Sequence, residues 1–192
     1  MSVLLTTRPT IIDRLVPRSI ASDVALVAAG AALTALAAQV SIPTPIGVPF
    51  TLQTFAVLLV GASLGSIRGA ASMALYALVG LLGLPVFAEQ SHGASVLFGA
   101  TGGFILGFII AGFVVGKLAE LKWSSNILKM ATAYAIGSIV IYLVGIPVLA
   151  SVSQVDLVTA TGWMVPFFIW DAVKAVAAGL ALPGAWALLR KN

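Results

Sequence analysis

Cysteine is missing from the chain altogether, and histidine occurs once, at His92. The first absence excludes disulfides, thiol nucleophiles and thiolate metal sites. The second excludes a histidine-rich metal centre, and it leaves any serine–histidine chemistry dependent on one residue. Charge is scarce as well. Asp, Glu, Lys and Arg make up 8% of the 192 residues, against about 25% in a soluble domain. Hydrophobic residues make up 60%, and the mean hydropathy is +1.13. So few charges cannot cover a water-facing surface, so the chain's solvent must be largely lipid. A phosphate-binding loop is lacking too. At "AGFVVGKL", Ala111 stands where its first glycine is required and Leu118 where Ser or Thr must follow the lysine. The chain therefore binds no ATP by that route, and nothing in it points to an enzyme. Residues 1–19, with Pro9 and Pro17, lack the charged-then-apolar pattern of a cleaved signal.

What is present is a set of six apolar runs, at 20–40, 51–64, 69–84, 102–118, 130–150 and 166–189. Each approaches the roughly 20 residues that cross a bilayer, although the second and third are short. Only Ser66 to Arg68 clearly separates those two. The expected fold is an all-α integral membrane bundle of six helices, residues 20–189, between a cytoplasmic segment 1–19 and a tail 190–192. Of the ten basic residues, all but Lys174 then share one side: Arg8, Arg14, Arg18, Arg68, Lys117, Lys122, Lys129, Arg190 and Lys191. The opposite loops, 41–50, 85–101 and 151–165, contain no Lys or Arg. By the positive-inside rule both termini are cytoplasmic. Basic residues scattered along one membrane face argue against a nucleic-acid partner. Trp123, Trp163 and Trp186 fall near the proposed interfaces, where aromatic anchors sit.

The outward loops are unusual. "SIPTPIGVPF", 41–50, holds three prolines and a glycine, so it cannot be a regular helix. It is also too apolar for a solvated connector. Loop 85–101 mixes apolar residues with Gly, Ser, Glu89, Gln90 and His92. Irregular backbone at membrane depth is tolerated where it lines a cavity, so both loops are read as lids over an outward cavity. Small residues recur every four positions at Gly61/Gly65/Gly69, Gly99/Gly103/Gly107 and Gly112/Gly116, a spacing that lets helix backbones approach. In the first run two overlapping frames fit the same rule, Ala28/Ala32 and Ala31/Ala35, and either could face another protein.

Two charges interrupt the last run. Asp171 and Lys174, in "WDAVKAVAA", each cost roughly 2.5–3.5 kcal/mol near the middle of a spanning helix. Three residues apart, they share a face. With the span starting near Pro166, Asp171 lies roughly 7 Å below the outer end. An ion pair turned inward, or snorkelling to the surface, would satisfy them without a ligand. Intramembrane ionisable groups more commonly mark a ligand or ion pathway. The pair offers one anionic acceptor and one cationic donor, suited to a ligand with N–H groups and a carboxylate that completes their hydrogen bonding. Polar companions would be Thr51, Gln53, Thr101 and Tyr142. Phe50, Phe87 and Trp170 would form apolar walls.

The stretch "IGVPFTLQTFAVLLVGASLGSIRGAASMALYALVGLLGLPVFA", followed by "FGATGGFILGF" and "WDAVKAVAA", resembles the BioY family across about residues 20–185. Members of that family are biotin-binding S components of energy-coupling factor (ECF) transporters. The resemblance implies six membrane helices in a prokaryotic cell membrane and capture of biotin from outside. It also implies association with a transmembrane coupling protein and two ABC-type ATPases. It places Asp171 and Lys174 among the polar ligand contacts, with the 41–50 loop and the "FGATGG" turn bordering the pocket. It assigns docking of the coupling protein to an Ala-x-x-x-Ala motif on the first helix, for which both frames fit. Chemically, Asp171 would accept from a ureido N–H and Lys174 would meet an anionic or carbonyl oxygen. The alternative class is a self-contained facilitator or proton-coupled carrier with Asp171 as its proton site.

Overall fold

The computed structural model describes residues 10–123 and 126–189, with Arg14 and residues 178–189 described through their backbone alone. Arg8, Arg190, Lys191 and the side chains of Arg14 and Trp186 lie outside what is described. The chain is mostly helical, with six helices of twelve residues or more: α1 Ile20–Gln39, α2 Gln53–Leu64, α3 Ser66–Leu81, α5 Gly102–Glu120, α6 Ile127–Ser153 and α7 Leu157–Leu189. A single turn, α4 Ala94–Leu97, lies in the connection before α5. Among the described residues α1, α5 and α6 are long and apolar enough to cross a membrane, while α2 and α3 are shorter apolar helices.

Three helix starts, those of α1, α6 and α7, carry local side-chain caps. Ser19 forms a capping box with Ser22 at α1, and Asn126 accepts the Lys129 N–H at α6, each satisfying a backbone donor that has no partner within the helix. Asp156 caps α7, accepting from the N–H groups of Val158 and Thr159 and from the Thr159 hydroxyl. The Thr159 N–H leads the effects that lower its carboxyl below the usual carboxylate range.

Two boundaries depart from the sequence reading. Ser66 and Arg68 do not separate α2 from α3; they form the first turn of α3, and Gly65 alone makes the reversal. Its φ of 88° is left-handed and suits glycine. The turn is held by Glu120 at the end of α5, a buried carboxylate that accepts both the Ser66 N–H (2.9 Å) and the Ser66 hydroxyl (2.7 Å). The last helix begins at Leu157, not near Pro166. Asp171 is thus fourteen residues along α7, about 21 Å from its start at 1.5 Å per residue.

The glycine spacing is used for internal packing. α5 packs against α2, α3 and α6; α7 packs on α6, and α1 on α3 and α2. A Cβ on Gly61 would stand 2.7 Å from the Gly112 carbonyl, and one on Gly116 would stand 2.4 Å from the Gly65 backbone. Only glycine lets α2, α3 and α5 meet backbone to backbone there. Gly107 likewise abuts the Ile141 backbone of α6. Gly99 is outside the helices, in the turn before α5.

One end of the bundle is tied by charge. Arg68 is buried and bonds to Asp13 (2.5 Å) and Asp23 (3.4 Å), and Arg18 bonds to Asp13 (3.3 Å). Burial alone would raise the Asp13 carboxyl, but the hydrogen bonds from Arg68, Thr10 and Arg18 outweigh it and hold it at about 2. The opposite end carries the irregular loops. Residues 41–51 form a hairpin whose two-residue strands, β1 Ser41–Ile42 and β2 Phe50–Thr51, pair antiparallel with Ser41 opposite Thr51. The prolines lie between them, where no ladder bond is required.

Candidate ligand-binding site

Beneath the hairpin and the 87–101 connection lies a cavity of about 430 Å³, within the range of small-molecule sites, about 300–1,000 Å³. The hairpin supplies Pro43, Thr44, Gly47, Val48 and Pro49, and the connection supplies residues that include Phe87, Ala88 and Glu89. Phe104, Ile105 and Phe108 of α5 and Phe167 of α7 form apolar walls. One group of polar residues comes from the helices and β2: Thr51 from β2, Gln53 and Thr54 from the start of α2, Tyr142 from α6, and Asp171 and Lys174 from α7; the hairpin and the connection add Thr44, Glu89, Ser91, Ser95 and Thr101.

The six residues of that first group form one hydrogen-bonded network. Asp171, 7% exposed, accepts at Oδ1 from the Thr54 hydroxyl (2.9 Å) and Lys174 Nζ (3.0 Å), and at Oδ2 from the Tyr142 hydroxyl (2.7 Å). Lys174 Nζ also donates to the Thr51 carbonyl (2.9 Å) and Thr54 Oγ1 (2.7 Å). Thr51 Oγ1 donates to Gln53 Oε1 (3.0 Å), and Gln53 Nε2 donates to the Tyr76 hydroxyl (2.7 Å). An ammonium has three N–H donors, and here the protein takes all three. Thr51, Thr54 and Asp171 thus satisfy the lysine within the chain itself. Acceptor capacity does remain, on the Asp171 carboxylate and the Tyr142 oxygen. This part of the cavity lining is matched to N–H donors.

The structure brings Thr51, Gln53, Phe87, Thr101, Tyr142, Asp171 and Lys174 to the cavity wall. Phe50 is displaced from it and stacks on Phe167, ring centroids 3.9 Å apart. Trp170 does not form a wall either. It is 56% exposed and lies off the cavity-facing stripe of α7, which Phe167, Asp171 and Lys174 occupy at four- and three-residue spacing. The cavity lining also includes residues that the sequence reading does not name, among them Phe104, Ile105 and Phe108 of α5, Thr54 and Phe167. Thr54 lies in the first turn of α2, next to Gln53; residues three or four apart on a helix share a face. Phe167 stands four residues before Asp171 and is indicated by the same rule. Glu89 reaches the cavity, whereas Gln90 and His92 do not. Trp123 and Trp163 pack half-buried against the core.

A second groove of about 590 Å³ runs between α6 and α7 and shares Tyr142 and Asp171 with the first. Its other walls are almost wholly apolar, so it offers little for a polar ligand to bond. The two alanine frames are separated by the rotation of α1. Ala31 is buried and Ala35 packs against the core, whereas Ala28 and Ala32 are exposed.

Comparison with known proteins adds a lineage to this geometry. The sequence model of the BioY family matches residues 7–191. The biotin transporter BioY of Thermotoga maritima is 42% identical over 150 residues, covering 78% of this chain and 86% of that protein. The biotin transporter BioY of Rhodobacter capsulatus is 37% identical, covering 78% of this chain and 85% of that protein. Among solved structures, the S-component for biotin from an ECF-type ABC transporter superposes with a TM-score of 0.79 at 25% identity, covering 90% of this chain and 92% of that one.

Proposed function

The chain belongs to the BioY family, and we propose that it captures biotin from outside the cell as the substrate-binding membrane subunit of an ECF-type importer. The single observation that carries this reading is the cavity in which a hydrogen-bonded polar network centred on Asp171 shares the lining with apolar residues of α5 and α7. Biotin has the complementary pattern: ureido N–H donors at one end of an apolar ring and chain. In this reading Asp171 and Tyr142 accept from the ureido group, and Lys174 and Thr54 hold the carboxylate in place. Thr51, Gln53, Phe87, Thr101 and Phe167 complete the pocket, with Phe50 supporting Phe167. The role is binding and carriage, with no bond made or broken.

The proposed architecture is one multi-pass domain, residues 20–189, in which α1, α2, α3, α5, α6 and α7 each span the bilayer. The charged end, with Asp13, Arg68, Lys117 and Glu120, is cytoplasmic, and the loop end is outside. The partners are a transmembrane coupling protein and two ABC-type ATPases. The exposed Ala28/Ala32 frame is the docking face, since small residues permit close backbone approach. Equilibrium binding of labelled biotin to the purified chain tests the central claim. Saturable binding at one site supports it, and no binding in a folded preparation overturns it. Uptake into vesicles containing this chain without ATPases would favour the self-contained carrier instead.

A further inference from the structure

The end of α1 reaches the roof of the cavity through one side chain. Gln39 is the last residue of α1, and its Nε2 donates to the carbonyls of Phe87 (3.2 Å) and Val86 (3.4 Å) as well as to Ala35 of its own helix (3.0 Å). Its Oε1 accepts the Gln90 N–H at 3.2 Å. Both sides of the amide are therefore bonded to one short segment, 86–90, and Phe87, Ala88 and Glu89 of that segment line the cavity.

This segment has to be held in its shape. Glu89 and Gln90 are both left-handed, with φ of 58° and 56°. Residues with a Cβ disfavour that region and stay there only where the surroundings impose it. Two other restraints come from α3. The Phe87 ring fills a notch at Gly80, where an added Cβ would lie 2.2 Å from it, and it sits edge-on to Tyr76 at 5.4 Å. The Gly93 N–H donates to the Gly80 carbonyl at 2.8 Å. Gln39 adds a hydrogen-bonding restraint from α1, the helix that also presents the exposed alanine frame.

We propose that Gln39 is a positioning residue that latches the 86–90 segment over the cavity and so sets the rate at which ligand leaves. The proposal rests on the biotin-binding reading. It ties the roof of the site to α1, so a displacement of α1 by a docked partner pulls on the lid through this amide.

The test measures association and dissociation rates of labelled biotin on the purified full chain in nanodiscs. Gln39→Leu keeps the approximate size and removes every hydrogen bond. It should release biotin about tenfold faster, equivalent to 1.4 kcal/mol, with a smaller change in association. The unfolding temperature of the ligand-free protein should stay where it is. Gln39→Glu keeps an acceptor for the Gln90 N–H but loses the amide donors, and its release should be intermediate. Because the chain has no cysteine, Gln39→Cys combined with Gln90→Cys can be bridged by a short bifunctional reagent. The bridged protein should exchange biotin more slowly in both directions than the unbridged one. Release from Gln39→Leu at the wild-type rate overturns the proposal. So does a parallel fall of its unfolding temperature and affinity, or a bridged protein that exchanges as fast as the unbridged one. Failure of the underlying reading looks different, because the wild-type chain would then hold no biotin.

Discussion

Replacing Lys174 by Met keeps much of the stem and removes the cation. In the structure this deletes three bonds: to the Thr51 carbonyl, Thr54 Oγ1 and Asp171 Oδ1. Asp171 is left 7% exposed with two neutral donors, Thr54 and Tyr142. Stranding one member of a buried ion pair costs about 3–5 kcal/mol. The lower end applies here, because the Lys174 side chain is 17% exposed. Biotin affinity should fall at least about tenfold, 1.4 kcal/mol, because the carboxylate is no longer held towards the ligand. Asp171→Asn should weaken binding by at least as much, since it removes the charged acceptor itself. The double variant, Asp171→Asn with Lys174→Met, separates the two roles. Without either charge the bundle loses its stranded ion, so thermal stability should recover most of the single-variant loss while binding stays weak. The assay is biotin titration and thermal unfolding on the same four proteins. If the pair serves folding alone, each single variant loses stability without losing affinity, and the double variant binds like wild type. Either result would show that the site has been placed on the wrong residues.

Three further outcomes are expected. Ala28→Trp or Ala32→Trp should weaken co-purification with the coupling protein and leave biotin binding unchanged. Ala31→Leu should instead destabilise the chain by about 1–3 kcal/mol through overpacking, and equal effects from both frames would remove α1 as the docking face. Asp13 ionises at about 2 in the folded chain against 3.8 ordinarily, so its stabilisation is complete above roughly pH 4. It is lost as pH falls towards 2, and Asp13→Asn should flatten the stability profile over that window; an unaltered profile would refute the Arg68 clamp. A reporter peptide inserted after Gln154 should be reachable from outside intact cells, and one at Asn192 only after permeabilisation. The opposite pattern would invert the topology.

The membrane class, the approximate helix positions and the charged end of the bundle could all be read from the sequence. Apolar run length and the placement of Lys and Arg act on each segment separately, with no packing partner needed. The Asp171–Lys174 pair was equally visible, because an ionisable residue in an apolar run stands out whatever surrounds it. The proline-rich 41–50 loop was readable for a similar reason, since proline restricts its own backbone and that of the residue before it. What remained hidden was the rotation of each helix about its axis. In a soluble protein an apolar stripe against a polar one reveals which face turns inward. Here lipid and core are both apolar, so the two faces of α1 and α7 read alike. Only the packed structure turns Ala31 in and Ala28 out, puts Phe167 on the cavity wall and leaves Trp170 outside. It alone brings Asp13 and Asp23 to Arg68, Glu120 to Ser66, and Gln39 to the 86–90 segment. Those contacts join residues distant in sequence, and their partners are set by how the helices cross.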